Sequence, residues 1–276
     1  MARMHRLLCL AGGLMVGALG CRVVAQAPTG ATPKPPVTEP PFTPGGVYRQ
    51  HDLKRPQPRV VTPGRDAMVI GPPSDAVVLF GGTDLSAWDQ DQRQPDGKTT
   101  QRVSPPNWPI RDGYFEVKPR SGSIVSRARF GDCQIHLEWA TPQQVVGNSQ
   151  GRGNSGLFIA GHPEIQLLDS YQNPTYPDGQ AGALYGLYPP LVNASRPPGE
   201  WQVYDVLYRA PRLNAAGRKT DSATYTVFHN GVVVQNCVAV PGEAAQSTIG
   251  LQDHNNPMRF RNIWVRPLGE YDQTRP

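Results

Sequence analysis

Cys133-Gln134-Ile135-His136-Leu137-Glu138-Trp139 decides the fold class. Apolar and polar residues alternate without interruption. A period of two puts Cys133, Ile135, Leu137 and Trp139 on one face of an extended strand and Gln134, His136 and Glu138 on the other, the pattern of a half-buried strand. Comparable short runs occupy 77–80, 114–118, 123–126, 156–160, 164–169, 202–209, 223–229, 232–237, 247–252 and 260–266, with turn residues between them. Asn230-Gly231, between Tyr225-Thr226-Val227-Phe228 and Val232-Val233-Val234, predicts a two-residue hairpin, because both residues tolerate the positive φ of a type I′ turn. Proline and glycine together number 59 of 276 residues, which excludes a long helical bundle. The expectation is an all-β, two-sheet antiparallel jelly-roll sandwich.

Outward from this body the sequence changes character. Residues 1–25 read as an export signal: a short basic start, then an apolar run over 7–19 that is too short to span a bilayer. Val23-Val24-Ala25 suits a signal peptidase, and Ala18-Leu19-Gly20-Cys21 resembles a bacterial lipobox with its leucine one place late. Both processing routes stay open. They imply an exported protein, periplasmic or attached to the cell envelope, that meets a membrane only through an N-terminal lipid. Residues 26–75, with 12 prolines between Gln26 and Pro73 and few apolar residues, read as an extended tether; docking of part of it on the domain through Tyr48, Val60 and Val61 is the alternative. The jelly roll is expected over 76–268 and a short tail over 269–276.

The formal charge of +5 is concentrated in the signal. Removing Arg3, Arg6 and Arg22 leaves 24 basic against 22 acidic residues without a basic cluster, which argues against nucleic acid as a partner. Cys133 and Cys237 are the cysteines of the mature body, either a disulfide or two buried thiols. No Cys/His spacing points to zinc.

Several constellations could carry chemistry. Glu164-Ile165-Gln166-Leu167-Leu168-Asp169 sets polar groups into an apolar strand, with Glu164 and Gln166 on one face. A bulge at Leu167 or Leu168 would bring Asp169 to the same side; the alternative is that Asp169 opens an Asx turn and Glu164 is merely solvated. The spacing is similar to the E-x-D-x-x-E strand of laminarinase-type glycosidases. Gln166 and Asp169 nevertheless depart from the carboxyl pair about 5–5.5 Å apart that retaining glycosidases use. Gln252, Asp253 and His254 end another strand with an amide, an acid and an imidazole able to move protons near neutrality. Arg196, Glu200 and Trp201 lie in a proline-rich stretch, 171–201, which also holds Tyr185, and Arg261 alternates with core-type residues. Planar guanidinium, amide and aromatic groups suit pyranose rings; plain surface charge and a core tryptophan are the alternatives.

Taken together, several stretches resemble the bacterial 3-keto-disaccharide hydrolase domain. They are Leu79-Phe80-Gly81-Gly82-Thr83-Asp84-Leu85-Ser86-Ala87-Trp88, Gly153-Asn154-Ser155-Gly156, Glu164 to Asp169, Gly182-Ala183-Leu184-Tyr185-Gly186, Pro197-Pro198-Gly199-Glu200-Trp201, His229-Asn230-Gly231, Leu251-Gln252-Asp253-His254 and Phe260-Arg261-Asn262-Ile263-Trp264. The resemblance implies a concanavalin-A-like jelly roll and cleavage of a glycosidic bond in a 3-keto sugar. Ala160 departs from it, standing where many members carry arginine.

The implied chemistry is removal of a C2 proton acidified by the C3 ketone, loss of the C1 oxygen, and hydration. That requires a base, an acid and a donor at the C3 oxygen. Glu164 is the expected base and His254 the proton donor or oxyanion partner. Asp169 is expected to orient His254 or to help hold a divalent metal. Asn154, Gln166, Tyr185, Arg196, Glu200, Trp201, Gln252 and Arg261 are the expected substrate contacts. A non-catalytic carbohydrate-binding module and a retaining glycosidase acting on unoxidised glycans are the alternatives.

Overall fold

The alternating run at 133–139 lies in the middle of the larger of two sheets. In the computed structural model, which describes residues 39–64, 71–93, 100–159, 162–242 and 244–269, the side chains of Cys133, Ile135, Leu137 and Trp139 are fully buried. The strands in chain order are β1 (Arg59–Val60), β2 (Val77–Phe80), β3 (Trp88–Arg93), β4 (Thr100–Val103), β5 (Ile110–Arg111), β6 (Tyr114–Glu116), β7 (Ile124–Phe130), β8 (Cys133–Ala140), β9 (Asn154–Ile159), β10 (Ile165–Leu168), β11 (Val192–Asn193), β12 (Gln202–Arg209), β13 (Arg212–Leu213), β14 (Lys219–Asp221), β15 (Ala223–His229), β16 (Val232–Val240), β17 (Ser247–Leu251) and β18 (Arg259–Pro267). Among the described residues the helical turns are two 3-10 turns, Ser149–Gly151 and Pro177–Gly179.

Two antiparallel sheets form the sandwich. One runs β10-β9-β17-β7-β3-β4, and the other runs β16-β15-β12-β8-β18-β6-β5 with β2 also paired to β18. Leu157, Ile159, Ile165, Leu167 and Leu251 of the first sheet join Ile135, Leu137, Trp139, Val206 and Phe260 of the second in one core. Each such large side chain contributes roughly 1.5–3 kcal/mol through burial. Trp88 donates its indole N–H to the Leu79 carbonyl (2.8 Å), so its polar atom is satisfied inside the core. The hairpin forms as expected, with Asn230 at φ 53° and Gly231 at φ 79°.

The second face of β8 is not solvated. His136 and Glu138 are 0% exposed, because β8 lies between β12 and β18 and their side chains close over it. Asp205 lies 2.8 Å from His136 Nδ1, Trp264 stacks on the imidazole at 4.9 Å, and Arg261 and Asn262 each donate to Glu138 at 2.7 Å.

Part of the stretch expected as a tether docks on the sandwich. The described residues from Pro40 onward belong to the same compact unit, and 48–64 lie against the 171–201 stretch. β1 pairs in parallel with β11, and Gln57 Nε2 donates to the Thr175 carbonyl (2.9 Å). Arg55 donates to the Leu187 carbonyl, and Gly64 accepts from Arg196 (2.7 Å). Low apolar content ruled out an independent core but said nothing of backbone and polar partners that another loop supplies.

Cys133 and Cys237 are both free. Cys133 is buried, its thiol pushed up to about 12 mainly by burial, whereas Cys237 is exposed. Neither the disulfide nor the pair of buried thiols is formed. The signal, Cys21, Ala160 and the tail from 270 lie outside the described residues.

Candidate active site

The outward face of β9 and β10 carries a carboxylate of raised proton affinity, Glu164. Leu157 and Ile165 pair with their side chains in the core, which turns Gly156 and Gln166, the next pair, outward. Glu164 precedes β10 and lies over Gly156: a Cβ at 156 would overlap the Glu164 carboxylate. Glycine therefore creates the space the carboxylate occupies. Among the described residues no hydrogen-bond donor or cation meets that carboxylate, and burial pushes its pKa up to about 7. A carboxylate with that proton affinity and no competing partner is suited to take a proton from a weak carbon acid at neutral pH.

The surrounding shell is polar and well tied. Gln166 donates to Gln150 Oε1 (2.8 Å), and Asn154 Nδ2 donates to the Gln150 carbonyl (2.7 Å). The Gln150 amide in turn donates to Thr175 Oγ1 (2.9 Å) and to the Gly179 carbonyl (3.0 Å). The loop after β10 then covers the open edge of that strand: Gly182 donates to the Gln166 carbonyl, Gln166 N to Ala183, and Tyr185 N to the Glu164 carbonyl (3.0 Å each except 2.9 Å for Gln166). This edge pairing places Tyr185 beside Glu164. The hydroxyls of Tyr185 and Tyr176 hydrogen-bond to each other, and burial raises the Tyr176 hydroxyl well above its ordinary value, with Glu164 adding to the effect.

β17 contributes from the other side of β9. Leu251 pairs with Leu157 in the core, so Gln252 follows on the outward side and donates its amide N–H to the Gly156 carbonyl (3.0 Å). Its side-chain oxygen is buried without a partner. Asp253 anchors this loop by accepting from Gly122 N (2.9 Å), and its own N–H donates to Ser123 Oγ (3.0 Å). Asn256 accepts from Asn154 N (3.2 Å). His254 is exposed in the anchored loop and makes no hydrogen bond or ion pair with a described residue.

The remaining expected residues are elsewhere. β10 pairs with β9 in unbroken register from Ile165↔Leu157 to Leu168↔Asn154, so the bulge that would bring Asp169 beside Glu164 is not formed. Asp169 instead binds Arg152 (2.7 Å) and accepts from Tyr171 N (3.3 Å), next to a cavity of about 190 Å³ that includes Val145 and Pro142. It has no contact with His254. Its engagement with Arg152 also makes it a poor metal ligand, and among the described residues no group of three His, Cys, Asp or Glu side chains could hold an ion.

Arg261 and Trp201 belong to the opposite outer face. Phe260, Leu137 and Trp139 point into the core, so Arg261 and Glu138 point away from the smaller sheet. The Arg261 guanidinium binds Glu138 and lies 4.1 Å from the centre of the Trp201 ring. Arg196 spans Gly64 and Glu200, the latter at 3.9 Å. Arg261, Trp201, Arg196 and Glu200 make no recorded contact with Glu164; the buried Glu138 on the second sheet takes the Arg261 guanidinium.

Sequence reasoning missed Gln150, Tyr176, Asp178 and His51. The glycines flanking Gln150 were its only signal; Gly147 at φ 81° and Gly153 at φ 45° shape the turn that presents it.

Residues 75–266 match the model of the 3-keto-alpha-glucoside-1,2-lyase-like domain. A 3-keto-disaccharide hydrolase of Bacteroides thetaiotaomicron is 23% identical over an alignment covering 70% of this chain and 78% of that protein. A crystal structure of a provisionally named glycosyl hydrolase of Parabacteroides distasonis is 41% identical, with a TM-score of 0.64 over 79% of this chain and 94% of that one. A second from the same organism, also provisionally named a glycosyl hydrolase, is 19% identical with a TM-score of 0.52, covering 77% and 100%, and shares the fold.

Proposed function

Because the chain belongs to the 3-keto-alpha-glucoside-1,2-lyase-like domain family, we propose that it is a hydrolase cleaving the glycosidic bond of a 3-keto disaccharide or related glycoside. The observation that carries this reading is Glu164: a carboxylate with a pKa near 7, free of ion pairs, beside a glycine that clears its approach.

The C3 ketone acidifies the proton on C2. Glu164 takes that proton, the resulting enolate expels the C1 oxygen, and water then adds to C1 of the enone while C2 regains a proton from Glu164. Atoms balance to two free sugars from one disaccharide and one water. Gln252 and His254 are assigned to the C3 oxygen, where negative charge develops. Gln166 and Asn154, held through Gln150, are assigned to sugar hydroxyls, and Tyr185 to one wall of the site. A retaining glycosidase would need a second carboxyl beside Glu164, and Asp169 is committed to Arg152 on another side. The amino-terminal signal extends the proposal to an exported enzyme meeting its substrate in the cell envelope.

The test is incubation with the 3-keto and unoxidised forms of one disaccharide. Free sugar from the keto form alone is the expected result. Retention of ligand without release of sugar would indicate a binding module, and cleavage of the unoxidised form a conventional glycosidase.

A further inference from the structure

Residues 48–57 precede the matched domain, yet they pack against the tyrosines next to Glu164. His51 is their contribution. Its ring packs 4.3 Å from that of Tyr176 and 5.2 Å from that of Tyr185, the pair whose members flank Glu164. Behind it stands Asp178, on the Pro177–Gly179 turn and 0% exposed. Asp178 Oδ2 accepts from the His51 backbone N–H (3.0 Å), which anchors the arm at this residue.

The remaining atoms of the pair are incomplete. His51 Nδ1 is buried without a hydrogen bond, 3.7 Å from Asp178 Oδ2, and Asp178 Oδ1 is also buried without one. Buried polar groups are seldom left so, and hydrogen bonds in unliganded sites often tighten only when substrate arrives. The His51 side chain is 35% exposed although its Nδ1 is covered. Nothing structural requires an imidazole here: the arm is already held by β1 pairing, Gln57 and Arg55.

We infer that the arm completes the saccharide site and that His51, with Asp178 orienting it through Nδ1, gives the proton from Nε2 to the departing glycosidic oxygen. This rests on the 3-keto reading above. The enolate supplies the electron pair that breaks the C1–O bond, the oxygen takes the His51 proton, and neutral imidazole remains until it is reprotonated from solvent.

Two substrates separate this role from a structural one. A 3-keto disaccharide has a sugar alcohol as its leaving group and needs a proton; a 4-nitrophenyl 3-keto-glucoside releases a stable phenolate and does not. In the full chain, His51→Gln and His51→Ala should lower kcat/KM for the disaccharide by about 10²- to 10⁴-fold and for the nitrophenyl substrate by less than about tenfold. Equal losses on both substrates, or no loss, would overturn the assignment of His51 alone. Glu164→Gln should depress both. Wild-type protein cleaving neither 3-keto substrate would overturn the underlying reading, and the role of His51 with it.

Discussion

Gly156 and Glu164 share one volume: the carboxylate of Glu164 occupies the place where any larger residue at 156 would put its Cβ. The relationship ties a backbone choice on β9 to the position of a carboxylate before β10. Gly156→Ala should therefore displace the carboxylate, lowering kcat at least tenfold while the unfolding midpoint moves by only a few degrees. Kinetics on a 3-keto substrate alongside thermal unfolding would check it; unaltered kcat would show that the position of Glu164 is immaterial.

Burial holds the Glu164 carboxyl near 7, above its ordinary 4.5. The folded state thus favours the protonated form, and this contribution to stability, whole below about pH 4.5, is lost as pH rises through 7. Glu164→Gln, neutral throughout, should match the wild type at pH 4 and exceed it by about 1–3 kcal/mol at pH 8, while losing turnover. Denaturant titrations at the two pH values measure the difference. With Glu164 as the proposed base, the same ionisation predicts that wild-type kcat/KM rises with pH through about 7, since a base works deprotonated.

For His136, burial pushes the imidazole pKa down, but Asp205 and Glu138 outweigh it and carry the group to about 8. The folded value lies above 6.5, so the stabilisation is complete below 6.5 and disappears above about 8. A decline of about 1–2 kcal/mol across that window is expected, and Asp205→Asn should flatten it. Unfolding measured at half-unit pH steps in both proteins would reveal a persistent slope if the coupling lay elsewhere.

Gln150 joins three elements, so Gln150→Ala would leave the Gln166 amide buried without its acceptor. A loss of about 1–3 kcal/mol in stability follows from the unsatisfied group, together with a higher KM if Gln166 and Asn154 contact sugar. Isothermal binding of product and steady-state kinetics test this; an unchanged KM would remove the Gln150 network from substrate recognition.

The strands easiest to read were those whose two faces differ. β12 and β15 run over the expected 202–209 and 223–229 because each alternates against the same core. β3 escaped notice: in Trp88–Arg93 a buried Gln90 takes an interior place, its amide donating to Ser121 and Gly122, so the apolar period is hidden. At the site, the common face of Glu164 and Gln166 was legible because side chains alternate along any strand. The place of Asp169 was not, since a bulge depends on pairing with β9 and on the claim Arg152 makes on the carboxyl. Arg261 and Trp201 looked equally suited to sugar, and nothing local tells which outer face of a sandwich a residue will occupy.

Alternation and turn chemistry, which act within a few residues, were enough for an all-β sandwich and for setting Glu164 and Gln166 on one face. The proton affinity of that carboxylate, the space Gly156 leaves for it, and the arm that brings His51 against Tyr176 and Tyr185 arose only in the folded chain. Desolvation, steric exclusion and edge pairing depend on which distant segments meet, and no local pattern encodes that.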